Sequence, residues 1–355
     1  MTIVPSKIET WQMVAPGKME RATIDTPELK TDDVLVEIAG SGICRSDSTI
    51  FYGEAPTGMP RTLGHEICGT IRAGDTRLVG KEVIIPAVMP CHHCPICTGG
   101  RGNRCLEAKI PGYTMGIYGG NASHIVVPKR DLCYIGEKNN IPLAHFAVVA
   151  DAVASAYQAA KRAGVQPGDL VVIVGATGNI GVYATQFAVA MGAKEIVGIG
   201  RDPDKLERTL KFGATHVISA RNKSVQNVRN EFYTFCRNKG LPSTYGWTIF
   251  EWTGTGPGQE TAFELLPFTG KLVVAGFGMQ KNTFPLSRIM ALDADIIGTW
   301  ACRPEYYPEI LQMVLSGVIQ IEPFIKIMPM SRIREAYEEA HKGNRSQRII
   351  LTPDF

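Results

Sequence analysis

Residues 1–130 carry short β-branched and apolar runs broken by Gly and Pro, among them Val34-Leu-Val-Glu-Ile38, Glu82-Val-Ile-Ile85 and His124-Ile-Val-Val127. Runs of that length between turn residues predict an irregular antiparallel β domain. From about residue 152 the texture changes. Apolar strands at Leu170–Val174, Ile196–Ile199, His216–Ile218, Trp247–Glu251 and Lys271–Ala275 alternate with helical stretches, the pattern of a doubly wound parallel sheet covered by helices on both faces. After about Phe284 the elements are again short and mixed, with a helix expected over Tyr306–Leu315, so the C-terminus is expected to complete the β domain. The expected organisation is an α/β chain with one domain made of residues 1–151 and 290–355 and a second of residues 152–289. Leu170–Ala193 contains no charged residue and is long enough to span a bilayer, but Gly175-Ala-Thr-Gly-Asn179 interrupts it. A buried strand, a turn and a buried helix running to about Met191 explain it better than a membrane span.

Composition adds bounds. A chain of 355 residues exceeds the roughly 250–300 at which a single core stops growing, which agrees with two domains. The net charge of +3 is too small to argue for nucleic acid. Residues 1–10 lack the basic and apolar regions of a signal peptide, and a cytoplasmic protein is expected.

Four cysteines, Cys91, Cys94, Cys97 and Cys105, form a C-x2-C-x2-C-x7-C run. Such spacing suits a closed tetrahedral thiolate site, with sulfurs about 2.3 Å from one Zn2+, and hence a structural zinc lobe over 91–105. Disulfides are the alternative, but two-residue gaps pair poorly and the other five cysteines are scattered singly. Reduced thiols also fit the cytoplasm. His92 and His93 are expected to be solvated, and Cys68, Cys133, Cys236 and Cys302 to be small buried residues.

The turn Gly175-Ala-Thr177-Gly178-Asn179-Ile180-Gly181 lies between an apolar strand and an apolar helix. Glycines there let the backbone approach a pyrophosphate seated at the helix N-terminus, which predicts a dinucleotide site. The second strand ends in Gly200-Arg201, with no carboxylate before Asp202. An arginine at that place suits the 2′-phosphate of NADP, although Arg201 stacked on adenine with Asp202 on the ribose would suit NAD.

Gly42-Ile-Cys44-Arg-Ser46-Asp, Gly64-His65-Glu66 and Ala150-Asp151 also carry ligand chemistry, and each alone is unremarkable. Together, in this order, with the four-cysteine lobe and the dinucleotide pattern, they resemble the zinc-dependent medium-chain alcohol dehydrogenases over nearly the whole chain. The resemblance implies a Rossmann domain beside a GroES-like irregular β-barrel catalytic domain, two zinc ions per subunit, NAD(P)H and a small-molecule substrate. It also implies a homodimer or homotetramer formed largely through the nucleotide-binding domains. Cys44, His65 and Asp151 match the catalytic zinc ligands, with aspartate where many members have cysteine. Glu66 matches the glutamate behind the metal, Asp47 the carboxylate that orients the histidine, and Arg45 a position near the pyrophosphate. Ser46 matches the hydroxyl that hydrogen-bonds the substrate oxygen and passes its proton on, and Thr49 stands where several members finish that relay with histidine.

A narrower resemblance, to 6-hydroxycyclohex-1-ene-1-carbonyl-CoA dehydrogenases of anaerobic aromatic degradation, rests on other stretches. These are Gly80–Pro90, the lobe with Gly102-Asn-Arg-Cys105, Gly116-Ile-Tyr-Gly-Gly120, Ser123-His124 and the short loop Ala73–Gly80. It implies a cyclic hydroxyacyl-CoA or enone substrate, and for the cofactor NAD. Arg101, Arg104, Arg303, Lys326, Arg345 and Arg348 are candidates to meet CoA phosphates, and Phe51, Tyr113 and Trp300 to line a ring pocket. Alternatives are a general secondary-alcohol or polyol dehydrogenase, a reductase adding hydride to a conjugated C=C, and a nucleotide-binding protein without catalysis.

Overall fold

The computed structural model describes residues 4–342 and 347–355. The chain forms two compact units, one of residues up to Ala154 with Ala301–Phe355, the other of Ser155–Trp300.

The first unit opens with strands β1 (Lys7–Ala15), β2 (Lys18–Asp25), β3 (Asp33–Gly42), β4 (Arg61–Thr62), β5 (Glu66–Ala73), β6 (Glu82–Ile85), β7 (His124–Pro128) and β8 (Cys133–Ile135). Helices α1 (Arg45–Phe51) and α2 (Pro95–Thr98) interrupt them. In the second unit α3 (Ala152–Ala163) leads into β9 (Leu170–Val174), α4 (Gly181–Ala190), β10 (Glu195–Gly200), α5 (Pro203–Leu210), β11 (His216–Ser219) and α6 (Val225–Lys239). β12 (Trp247–Glu251), α7 (Gly256–Glu264), β13 (Lys271–Val274), α8 (Leu286–Leu292) and β14 (Asp295–Gly298) complete it. The chain then returns to the first unit with α9 (Tyr307–Leu315), β15 (Ile325–Pro329), α10 (Ile333–His341) and β16 (Arg348–Thr352).

In the first unit the main sheet runs β15-β16-β3-β5-β6-β8, with β7 also on β3, beside a smaller sheet β2-β1-β4. Its core is aliphatic: Ile8, Val34, Val36, Ile67, Ile71, Val83 and Val127 are all fully buried. β3 pairs antiparallel with β5 so that Gly42 faces Glu66, and β16 pairs with β3 at Gly42 and Ser41. Those registers bring three distant segments to one end of the sheet.

The second unit holds a six-stranded parallel sheet in the order β11-β10-β9-β12-β13-β14. Strand order reverses between β9 and β12, the switch point at which such sheets bind ligands beyond the strand C-termini. Three of its helices start at side-chain caps: Asp202 with Pro203 opens α5, Ser224 opens α6 and Thr255 opens α7. The uncharged stretch 170–193 divides into β9, a turn and α4, whose residues from Gly181 to Ala188 are buried. No helix among the described residues is long and apolar enough to cross a membrane.

The domain boundary expected at 289/290 falls inside α8, and β14, placed by the sequence reading in the β domain, is the sixth strand of the parallel sheet. Asp295-Ile-Ile-Gly298 is too short and too exposed to carry the continuous apolar signature of a buried parallel strand.

Candidate functional site

Cys44 lies two residues beyond the end of β3 and is the N-cap of α1. Asp47, at the third helical position, accepts a hydrogen bond from the Cys44 backbone N–H at 3.0 Å, while its other oxygen lies 3.2 Å from His65 Nδ1 and accepts from Gly64 N–H at 3.4 Å. One fully buried carboxylate thereby ties the Cys44 turn to His65, the residue just before β5. With Nδ1 engaged, His65 presents Nε2 to the opposite side, 3.5 Å from Asp151 Oδ2. Asp151 ends a one-sided turn of 3-10 helix, Leu143–Ala150, that the Tyr307 hydroxyl and the Ala87 N–H hold through the Ala150 carbonyl. Its Oδ2 is 3.7 Å from Cys44 Sγ.

Donor atoms of Cys44, His65, Glu66 and Asp151 all lie within 4.8 Å of one another. Tetrahedral ligands with zinc bonds of about 2.0–2.3 Å stand about 3.3–3.7 Å apart, so the separations of 3.5 and 3.7 Å fit an ion between Cys44, His65 and Asp151. Behind them Glu66 is wholly buried, and its carboxylate meets Arg348 Nη2 at 2.9 Å. Gly42 is required here, because a Cβ on it would stand 2.1 Å from Glu66 Oε2.

The electrostatics act differently on each donor. Burial alone raises the Cys44 thiol, but the Arg348 guanidinium and a hydrogen bond with His65 outweigh it and the net shift is downward. Burial would lower His65, yet the Asp47 carboxylate and the contact with Asp151 hold its pKa well above the ordinary value. Burial pushes Glu66 well up, opposed by Arg348. The Tyr113 ring packs edge-on against His65 at 5.3 Å between centroids. Burial and the Asp47 carboxylate push its phenol up, partly offset by the facing His65.

The other expected residues fall out unevenly. Thr49 is buried, and its hydroxyl donates to the Arg45 carbonyl at 3.1 Å, one helical turn back along α1. Phe51 is 3% exposed and packs edge-on against Tyr52 and Tyr337 in the core. Arg45 is exposed. Trp300, the last residue of the second unit, is 42% exposed. Among the CoA candidates Arg348 is 2% exposed and paired with Glu66, which removes it from any pocket mouth. Lys326 is paired with Glu339 at 2.6 Å, and Arg303 donates to the Gly100 carbonyl and lies near Glu305. Arg101 and Arg104 are exposed, and Arg345 lies outside the described residues. The Glu66–Arg348 pair was missed from sequence, although an arginine opening an apolar run, Arg348-Ile-Ile-Leu351, is a signal: burying it is costly without a counter-charge.

In the lobe, Cys94 Sγ is 3.4 Å from Cys97 Sγ and 3.9 Å from Cys105 Sγ, and Cys91 Sγ is 4.0 Å from Cys97 Sγ. These are edges of a tetrahedron with bonds of about 2.3 Å and far exceed a disulfide bond of about 2.05 Å. Backbone N–H groups, that of Leu106 foremost, lower Cys94 to about 6, while burial pushes Cys97 up to about 12. Neither histidine joins the sulfurs' tetrahedron. His92 is only partly exposed and pairs with Asp131 at 2.8 Å, a departure from the solvated loop residue expected, whereas His93 is largely exposed near Glu107.

In the second unit the glycine turn follows β9 at the switch point. Gly175 has φ +91°, and its N–H donates to Ile199 at 2.8 Å, tying the turn to β10. A Cβ on Gly181 would lie 2.1 Å from the Gly175 carbonyl oxygen, so only glycine lets α4 start this close to the strand. No side chain caps the start of α4 at Ile180, which suits a phosphate there. Thr177 lies against Gly200, where a Cβ would come within 3.0 Å of it.

Residues 30–137 match the family profile of the alcohol dehydrogenase GroES-like domain, and residues 179–316 that of zinc-binding dehydrogenases. Sorbitol dehydrogenase of Bombyx mori is 29% identical over 330 residues, 90% of this chain and 91% of that one. D-xylulose reductase A of Aspergillus oryzae is 26% identical over 342 residues, 92% of each. Among solved structures, a zinc-binding dehydrogenase of Sinorhizobium meliloti 1021 bound to NADP superposes with a TM-score of 0.83 at 21% identity, covering 98% of this chain and all of that one. With both profiles matched and the donor sets built as described, the chain belongs to the zinc-binding medium-chain alcohol dehydrogenases and is a zinc- and nicotinamide-dependent oxidoreductase.

Proposed function

We propose that this oxidoreductase interconverts secondary alcohols or polyols and their ketones at Cys44, His65 and Asp151, with the dinucleotide pyrophosphate at the Gly175–Gly181 turn. The observation carrying the reading is the donor set: a thiolate, an imidazole and a carboxylate at tetrahedral separations. Zinc bound there would supply a Lewis acid for the substrate oxygen, and the nicotinamide a two-electron acceptor. Thiolate and carboxylate balance the dication's charge. Asp47 fixes the ring of His65 and its tautomer, a partner role on which metal affinity depends. Ser46 takes the substrate hydroxyl proton in oxidation and returns it in reduction. With the Thr49 hydroxyl donating to the Arg45 carbonyl, the proton continues from Ser46 to water or to a cofactor hydroxyl.

The carboxylate ligand Asp151 and the sorbitol and xylulose relatives support a polyol. A cyclic hydroxyacyl-CoA, with hydride passing to its carbonyl or its conjugated C=C, is the second reading. It is supported by the stretches around residues 80–90 and 102–124, and weakened by the pairing of Arg348 and Lys326. Turnover of sorbitol, xylitol and simple secondary alcohols against 6-hydroxycyclohexene-carbonyl-CoA, followed at 340 nm, separates the two; thioester turnover alone would reject the polyol.

Assembly as a homodimer or homotetramer through the second unit belongs to the same proposal. β14 is an open sheet edge, and Leu286, Met290 and Ile296 beside it are exposed by 73, 75 and 41%. A monomer in light scattering at micromolar concentration would reject it. The free cysteines suit a reducing, cytoplasmic setting.

A further inference from the structure

We propose that the Tyr113 hydroxyl donates a hydrogen bond to a second substrate oxygen, on the carbon next to the reacting one, and so selects vicinal diols and α-hydroxy ketones. The inference rests on the alcohol reading of the Cys44, His65 and Asp151 set. The ring of Tyr113 needs only apolar neighbours. Its oxygen needs a partner.

A braced loop fixes where that oxygen lies. Gly112, with φ +74°, donates its N–H to the Tyr118 carbonyl at 2.9 Å, and a Cβ on it would stand 3.0 Å from the Gly64 nitrogen. The loop therefore lies directly against the residue before His65. Tyr113 N–H donates to the Ile110 carbonyl at 3.0 Å. The Thr114 hydroxyl donates to the Ala108 carbonyl at 2.6 Å and accepts from the Ile110 N–H at 2.8 Å. Arg61 Nη1 donates to the Gly112 carbonyl at 3.1 Å and also to that of Tyr113. The ring then packs on the core that holds Phe51 and Tyr337, with the His65 ring edge-on to it at 5.3 Å.

At the end of this ring the hydroxyl is fully buried and has no hydrogen-bond partner among the described residues. The groups acting on it are the Asp47 carboxylate, His65, Cys44 and Ser46. It thus stands beside two donors of the metal set and beside the hydroxyl assigned to the reacting substrate oxygen. Buried polar groups are nearly always paired, and an unpaired one is costly. A phenol is a donor at neutral pH, so a ligand bringing an acceptor removes that cost. A simple secondary alcohol brings none. A substrate with oxygens on adjacent carbons, one at Ser46, offers the second to Tyr113, and sites built to pair a substrate hydroxyl discriminate against the analogue lacking it.

The test compares 1,2-propanediol with 2-propanol, two alcohols of one carbon skeleton, in the zinc-loaded wild type and in Tyr113→Phe. Values of kcat/KM are read from nicotinamide absorbance, and dead-end binding of hydroxyacetone and acetone to the complex with oxidised cofactor is read by calorimetry. Tyr113→Phe should cut the diol to 2-propanol ratio of kcat/KM about 3- to 10-fold, and the ratio of ketone affinities by a similar factor, the range of one neutral hydrogen bond. Because the variant removes only an unpaired buried oxygen, its melting temperature should equal or exceed that of the wild type. Ratios that Tyr113→Phe leaves unmoved would overturn the proposal, and so would a lowered melting temperature, which would make the hydroxyl a structural partner. Turnover of neither alcohol by the zinc-loaded wild type would instead overturn the alcohol reading beneath it.

Discussion

Arg348→Met removes the only cation that an ion pair gives Glu66 among the described residues, and its cost follows from burial. Glu66 is fully buried and Arg348 is 2% exposed, with 2.9 Å between Oε1 and Nη2. Arg348 Nη1 also donates to the Ile43 carbonyl at 3.0 Å, so the substitution loses a backbone partner as well. Breaking a buried pair by removing one member costs about 3–5 kcal/mol, because the other charge stays behind. Glu66 can escape part of that cost by taking a proton. Burial already holds its pKa above the usual carboxylate value, and Arg348 is the principal group pulling it down, so the variant's Glu66 should rise further. The folded state then binds this proton more tightly than the unfolded chain does. Stability from this group is complete below the unfolded carboxylate pKa of about 4.3 and is lost as pH rises through the folded value. Urea titrations of the zinc-loaded protein should accordingly show a larger deficit for Arg348→Met at pH 8 than at pH 5.5. The double variant Glu66→Gln, Arg348→Met should recover at least about 1 kcal/mol of the deficit, since contacting pairs couple by about 0.5–3 kcal/mol. A single variant within about 0.5 kcal/mol of wild type at pH 8, or a double variant no better than the single, would refute the reasoning.

Three further outcomes are expected. Asp47→Asn should weaken zinc binding at the Cys44 site about 10- to 100-fold in competition with a chelator while the lobe zinc stays bound, as loss of a ligand's orienting partner does; unchanged retention would show that Asp47 does not orient His65. Ser46→Ala should lower kcat about 10²- to 10⁴-fold with a smaller change in KM, the size of a lost proton-transfer group, and wild-type kcat would remove Ser46 from the relay. Gly181→Ala must move α4 away from the Gly175 carbonyl, now 2.1 Å from the new Cβ, so NADPH should bind at least about 10-fold more weakly, at a cost to folding of about 1–3 kcal/mol from overpacking; undiminished binding would detach the turn from the cofactor.

The doubly wound sheet was legible in the sequence because strands buried on both faces, such as Val171–Val174 and Ile196–Ile199, must be apolar without interruption. The cysteine lobe was legible for a related reason: its ligands sit close enough in the chain for spacing alone to state the geometry. Individual side chains were less so. The sequence does not show that the Thr49 hydroxyl donates to the Arg45 carbonyl one helical turn back. Nor does it show that Phe51 packs edge-on against Tyr337. Arg348 reads as a surface cation and is buried against Glu66, since pairing of β16 with β3 beside Gly42 brings it there. The donor set spans 107 residues between Cys44 and Asp151, and only strand register and the turn after Ala150 decide that a thiol, an imidazole and a carboxylate converge. Composition and periodicity report what one segment needs from its surroundings. Which segments meet is settled by the registers of β3 with β5 and β16, where one residue of slip would turn His65 and Arg348 to the opposite face.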